Sequence, residues 1–191
     1  DRATPLTPTS AREIMTPSFG CGLDELLRRR ADDLLPIPNG IDDTLWNPAR
    51  DPYLRSLRYS ARDLTHKALC KAALQREFGL HADPHATVLA MGNRLTEQKM
   101  VDVAVQALPE ALERHPRLQI AIWGKGDRRL EDALQAIAQR YPGRCAAHIG
   151  YEKAIPHRLH AGADVLLHAS RFEPFGLTPL YAMRYGTVPI G

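Results

Sequence analysis

Four apolar runs that do not alternate with polar residues constrain this chain more than any other feature of its sequence. They are Thr87–Gly92 (TVLAMG), Leu118–Trp123 (LQIAIW), the weaker Arg144–Ile149 (RCAAHI) and Asp164–His168 (DVLLH); Val188–Ile190 opens a fifth. A strand half exposed to water alternates, whereas a strand covered on both faces reads as a continuous apolar stretch. Amphipathic helices fill the gaps. The first has apolar positions 100, 103, 104, 107, 108, 111 and 112, and the second has 130, 133, 134, 137 and 138, with Asp127 as its N-cap. Two more are expected at about 153–161 and 176–185. Strand–helix alternation of this kind predicts an α/β fold: an open, mainly parallel sheet with helices on both faces.

The chain before residue 87 is different. Seven of the fifteen prolines fall in residues 1–52, with little periodicity beyond a short helix around Leu23–Ala31. Pro36-Ile37-Pro38-Asn39-Gly40 must be loop, since proline removes backbone donors and Asn-Gly favours turns. Ser60-Ala61-Arg62-Asp63 resembles a capping box, so a helix is expected from there to its stop at Gly79. Residues 1–60 read as the end of a preceding domain with its connection, and 61–191 as the sheet domain, incomplete where its fifth strand begins. The expectation is a piece of a larger enzyme.

Composition excludes several classes of function. The 25 basic residues are interspersed with 22 acidic ones, and the run Arg28-Arg29-Arg30 lies among Asp24, Glu25, Asp32 and Asp33. That is a solvated helix face rather than the clustered basic footprint of a nucleic-acid binder. No apolar run approaches the roughly 18 residues of a membrane span, and no leader pattern opens the chain. Three widely spaced cysteines fit neither a zinc site nor a disulfide framework, which points to a cytoplasmic compartment. His157 and His160 are three residues apart with no third ligand nearby, so they read as helix-surface residues and no metal site is expected.

In open α/β sheets, ligands bind outside the carboxyl ends of the strands. Four segments follow those ends: Asn93–Lys99, Gly124–Asp127, Gly150–Glu152 and Ser170–Thr178. Arg94 and Lys99 can neutralise phosphates, the plainer alternative being a surface pair with Glu97. Gly176-Leu177-Thr178 opens a helix whose free N–H groups suit an anion, or it is simply a tight turn. Gly124 and Gly126 permit close approach of a ligand to backbone, but the full dinucleotide fingerprint is absent. Tyr151 can stack on a base or pack as a half-buried aromatic. Glu173, flanked by Phe172, Pro174 and Phe175, needs a partner or a task; an ion pair with Arg171 or Arg94 would supply the first.

With these residues assembled, R-L-T-E-Q-K (Arg94–Lys99) and S-R-F-E-P-F-G-L-T (Ser170–Thr178) together resemble bacterial glycogen synthase and plant starch synthase, retaining glucosyltransferases built from two Rossmann-like domains in the GT-B arrangement. The likeness runs along nearly the whole chain. It includes Ser10–Ile14, Phe19–Leu23, Pro38–Asp42 with Trp46-Asn47-Pro48, Tyr141–Arg144, Gly150-Tyr151, Ala161–Asp164 and Arg184–Pro189.

The resemblance implies roles. Arg94 and Lys99 would hold the diphosphate of ADP-glucose and stabilise the departing ADP. Tyr151 would stack on adenine, and Glu173 would lie near the transferred glucose. Gly176, Leu177 and Thr178 would receive the distal phosphate or sugar, and Gly124 would line the nucleotide site. Glucose would pass to the non-reducing end of an α-1,4-glucan, without cofactor or obligatory metal. Another GT-B nucleotide-sugar transferase, or a non-catalytic ADP- or glucan-binding module, is the alternative. Three residues depart from the family pattern: Asn93 for a small residue, Met100 for glycine and Phe175 for cysteine. The family's N-terminal domain and its K-T-G-G-L loop are missing, so the chain is expected to bind ADP weakly and to transfer no glucose alone.

Overall fold

The computed structural model describes residues 2–191 and divides them into two compact units. The larger holds Asp42–Arg171 and Thr178–Gly191; the smaller holds the described residues up to Ile41 together with Phe172–Leu177.

The larger unit contains five parallel strands in the order β3-β2-β1-β4-β5. They are β1 (Thr87–Leu95), β2 (Leu118–Gly126), β3 (Cys145–Ile149), β4 (Val165–Leu167) and β5 (Val188–Ile190). Its helices are α3 (Thr65–Glu77), α4 (Val101–Arg114), α5 (Arg128–Arg140), α6 (Ala154–Gly162) and most of α7 (Leu177–Arg184). Within the continuous apolar runs the strand period still sorts side chains between faces. Val88, Ala90, Ala121 and Trp123 join Leu74 of α3, Phe78 just after it, Leu159 of α6 and Ala182 of α7. Met91, Leu95, Ile120 and Ile122 join Ala104, Leu108 and Leu112 of α4 and Leu130, Leu134 and Ile137 of α5. The chain leaves β3 and re-enters the sheet beside β1, which puts the topological switch point between β1 and β4.

Several local expectations change. The helix expected from Ser60 starts at Thr65, because Ser60 and Asp63 pair with each other in a turn and the Asp63 carboxylate caps the Thr65 N–H at 2.9 Å. The buried stripe of α4 runs through Val101, Ala104, Leu108 and Leu112, while Val103 is exposed. Met100 is not in the helix at all but takes a left-handed conformation (φ 51°, ψ 30°) just before it. Most important for the site, β1 and β2 run three residues further than their apolar stretches. Glycine makes this possible: a Cβ at position 124 would stand 2.0 Å from the Asn93 carbonyl oxygen, and one at 126 would stand 2.3 Å from that of Leu95.

From Asp42 the chain packs into this unit. Leu54 and Tyr59 are buried with Cys70, Ala161 and Tyr185, and the Tyr59 hydroxyl donates to the Tyr185 carbonyl at 2.7 Å. Lys67 reaches the Ala161 and Ala163 carbonyls at 3.1 and 3.2 Å. Burial lowers its ammonium to about 8.

The smaller unit has α1 (Pro8–Glu13), capped by the Thr7 hydroxyl accepting from Ser10 N–H, and α2 (Asp24–Arg29), which ends before the expected Ala31 and is followed by a separate 3-10 turn. The basic run is tied down locally: Arg28, Arg29 and Arg30 pair with Asp24, Glu25 and Asp33 at 2.9, 2.5 and 3.1 Å. Phe172 stacks on Phe19 with centroids 4.8 Å apart, and Thr7 donates to the Pro174 carbonyl at 3.1 Å. Among the described residues no helix is long and apolar enough to cross a membrane.

Candidate functional site

The strand extensions turn what reads as loop into a rigid rim. Arg94 and Gly124 are strand residues, and the parallel register pairs Asn93 with Gly124, Arg94 with Lys125 and Leu95 with Gly126. Paired residues of neighbouring strands point to the same side. Arg94 and Lys125, both exposed, therefore stand side by side as two cations at the carboxyl end of the sheet. Lys125 is a cation that motif reading passes over; only the register brings it beside Arg94.

The expected surface pair of Arg94 with Glu97 does not form. Glu97 pairs with Arg129 at 2.8 Å, and Arg94 meets only the neutral Gln98 amide, at 3.2 Å, among the described residues. The start of α5 is self-satisfied: Asp127 accepts from Arg129 N–H at 2.8 Å and Glu131 from Gly126 N–H at 2.7 Å, so carboxylates occupy that helix end.

Lys99 closes a 3-10 turn over Glu97–Lys99. With Asn93 and Met100 it lines a cavity of about 130 Å³ beside β1 and β4. Arg171 braces this turn from the segment that follows β4. Its N–H donates to the Gln98 carbonyl at 2.9 Å, and its guanidinium grips both oxygens of Asp102, at 2.7 and 2.8 Å, and the Glu97 carbonyl. The Arg171 hydrogen bonds hold the Asp102 carboxyl below the usual carboxylate range. Arg171 thus carries a local carboxylate already, which weakens the expectation that it pairs with Glu173.

Tyr151 does not pack as a half-buried aromatic. It is 81% exposed, with its ring 6.2 Å from that of Trp123 at the edge of a hollow that also holds His148, Gly150 and Glu152. Thr178 lies in the first turn of α7 within the larger unit. Glu173, Gly176 and Leu177 belong to the smaller unit, where Gly176 takes φ +81°, a conformation glycine adopts without strain.

The two histidines of α6 are the clearest correction. His157 and His160 are each 4% exposed, not on the helix surface. His157 Nδ1 lies 2.7 Å from Asp51 Oδ2, and its ring stacks on Trp46 at 4.0 Å. Burial, with His157 and Lys67 nearby, lowers the His160 imidazole to about 3.

A family model described as "Glycosyl transferases group 1" matches residues 75–191. The chain belongs to the group 1 glycosyltransferases. Within this family it is 68% identical over 190 residues to the glycogen synthase of Bordetella petrii, a match covering 100% of this chain and 36% of that protein. Glycogen synthase of Burkholderia thailandensis is 56% identical over 190 residues, with the same two coverages. The catalytic domain of starch synthase IV from Arabidopsis thaliana, solved bound to ADP and acarbose, superposes with a TM-score of 0.89 at 32% identity, over 98% of this chain and 38% of that one. The chain therefore spans a little over a third of the length of these relatives. As a group 1 glycosyltransferase it carries the α/β sheet expected to be mainly parallel, here parallel at every strand pair, with the rim at its carboxyl end.

Proposed function

We propose that residues 61–191 form the nucleotide-binding domain of a cytoplasmic, retaining glucosyltransferase, and that residues 1–60 bring the end of its partner domain and a connection whose last part, from Asp42, packs with the sheet. The reaction moves glucose from ADP-glucose to the non-reducing end of an α-1,4-glucan, as the glycogen synthase names of the relatives suggest. The observation that carries the reading is the pairing of Arg94 with Lys125 at the carboxyl end of β1 and β2, with no carboxylate on Arg94 among the described residues.

The chemistry follows from charge. The leaving group departs as a phosphate-bearing anion, and fixed cations aimed at it lower the barrier as charge develops. Arg94 and Lys99 hold the diphosphate, now joined by Lys125; Gly124 lets the β1 and β2 ends lie close enough to present it. Tyr151 offers an open π-face to adenine. Gly176, Leu177 and Thr178 receive the distal phosphate or the sugar through helix-start N–H groups and a hydroxyl. Glu173 stabilises the glucosyl carbon as it gains positive character. No metal or cofactor is needed for these steps. Glucose transfer requires the remainder of the enzyme.

Calorimetric titration of the chain with ADP, UDP and maltooligosaccharide tests the reading. ADP is expected to bind with a dissociation constant in the millimolar range or below and more tightly than UDP. Equal or stronger binding of UDP would reassign the donor, and no nucleotide binding with clear maltooligosaccharide binding would make this a glucan-binding module.

A further inference from the structure

A buried polar assembly of the larger unit lies away from the rim, beneath the segment that leads into α3. Asp51 is fully buried and its two oxygens divide their work. Oδ1 accepts from Tyr53 N–H at 2.8 Å, capping the 3-10 turn Pro52–Leu57. Oδ2 accepts from the Tyr185 hydroxyl and lies 2.7 Å from His157 Nδ1. Burial alone would raise this carboxyl, but the hydrogen bonds from His157, Tyr185 and Tyr53 outweigh it and hold the group ionised.

Trp46 completes the assembly. Its ring is sandwiched between His157 (centroids 4.0 Å apart, 1° between planes) and Tyr181 (3.9 Å, 9°). Trp46 is itself set by Asp42, which accepts from Thr44 and Leu45 N–H and whose carbonyl takes the Trp46 N–H at 2.8 Å. Tyr181 of α7 and Tyr185, the residue that follows its last turn, are thus gripped from residues 46 and 51, Tyr181 by stacking and Tyr185 by a charged hydrogen bond. Thr178, Tyr181 and Tyr185 follow one another at spacings of three and four, and the Tyr185 N–H still donates to the Tyr181 carbonyl at 3.1 Å, so the three continue one face of the helix.

We propose that Trp46, Asp51 and His157 are positioning residues: a clamp, half-buried at Trp46 and buried at Asp51 and His157, that sets the axial position of α7 and so holds Thr178 where the nucleotide sugar's distal phosphate or sugar arrives. This rests on the functional reading above for the role of Thr178. The clamp touches no substrate; it acts through Tyr181 and Tyr185. A helix fixed at its middle and end by a planar stack and a buried carboxylate presents its first turn without having to be ordered on binding. The segment Asp42–Leu57, which reads as mere connection, thereby becomes part of the site's support.

ADP titration of the chain tests this with Tyr185→Phe, which removes one hydroxyl and keeps the ring. Affinity should fall, by up to about tenfold, because α7 must then be ordered on binding. Ile137→Val, which removes one methylene from the core beneath α5, should leave affinity unchanged. Thr178→Ala should cost less in the Tyr185→Phe background than alone, because the two act on one contact. Equal weakening by Ile137→Val, or an undiminished cost of Thr178→Ala in that background, overturns the clamp. If the parent chain binds no ADP at millimolar concentration, the nucleotide reading fails separately, and hydrogen exchange decides the clamp. Faster exchange in α7 than in α5 for Tyr185→Phe supports it; equal change in both helices overturns it.

Discussion

The rim and the clamp are built from the same kinds of residue and solve opposite problems. At the rim, Arg94, Lys125 and Tyr151 are exposed, and Arg94 has only a neutral amide as neighbour among the described residues. In the clamp, Asp51 and His157 are buried, and each oxygen of Asp51 has a donor. Polar groups left open can be completed by a ligand, whereas polar groups satisfied inside the protein fix geometry and add nothing to binding directly. Removing a clamp residue should therefore damage the fold first, and removing a rim residue should damage binding first.

The largest expected effect is at the clamp. Asp51→Ala strands the Tyr185 hydroxyl, the Tyr53 N–H and His157 in a dry site, and should cost about 3–5 kcal/mol of stability. Urea unfolding measures it. A loss below about 1 kcal/mol would mean that water reaches Asp51, and the contrast with the rim would collapse.

Acid should separate the two regions next. His160 titrates near 3 when folded and near its ordinary 6.5 when unfolded, so between those values the unfolded chain binds the extra proton. Stability should fall as pH drops below about 6.5, by up to about 1.4 kcal/mol per pH unit. Asp51 acts in a second, lower window: its folded pKa is depressed, so its contribution is intact above about 3.9 and is lost as pH falls further. His160→Phe, which keeps an aromatic ring beside Trp46, should flatten the first stage and leave the second. An unchanged slope between pH 6.5 and 4 in that variant would place the acid sensitivity elsewhere.

Arg94→Ala tests the other side. It should weaken ADP binding by about 1–3 kcal/mol, as lost charged hydrogen bonds do. The unfolding midpoint should move by no more than an exposed substitution allows, about 0.5 kcal/mol. A variant that binds ADP normally removes Arg94 from the site; one that unfolds early makes it a structural residue like those of the clamp.

The clamp was also the part least visible in the sequence. The sheet was legible because its apolar runs are local and long. The positions of Arg94, Lys99, Tyr151 and Thr178 at strand ends and a helix start were legible from the order of runs and gaps, and motif blocks singled them out as candidates. His157 was misread because its decisive partner lies 106 residues away, and no spacing within α6 points to it. One signal was available: Ala154–Gly162 carries Arg158 as its one permanently charged residue, and a helix that is apolar nearly all round belongs inside. Lys125 was missed for a related reason. It becomes a neighbour of Arg94 only when two strands, each longer than its apolar run, are laid in register.

Met100 offers the smallest and most selective test, because it lies on the rim side but acts on the backbone. Its φ of 51° is a conformation that costs a residue with a Cβ about 1 kcal/mol or more relative to glycine. The glycine that the resemblance places after the lysine is explained by this angle: the chain must turn left-handed between the Lys99 turn and α4. Met100→Gly should stabilise the fold by up to about 1 kcal/mol, a gain reduced by glycine's greater freedom in the unfolded chain. It also removes a wall of the 130 Å³ cavity shared with Asn93 and Lys99. If stability rises while ADP affinity stays the same, the strain is confined to the backbone, and rim binding depends on the side chains of Arg94, Lys99 and Lys125. If affinity falls as stability rises, the Met100 side chain itself holds Lys99 in place, and the rim has a support of its own, independent of Trp46 and Asp51.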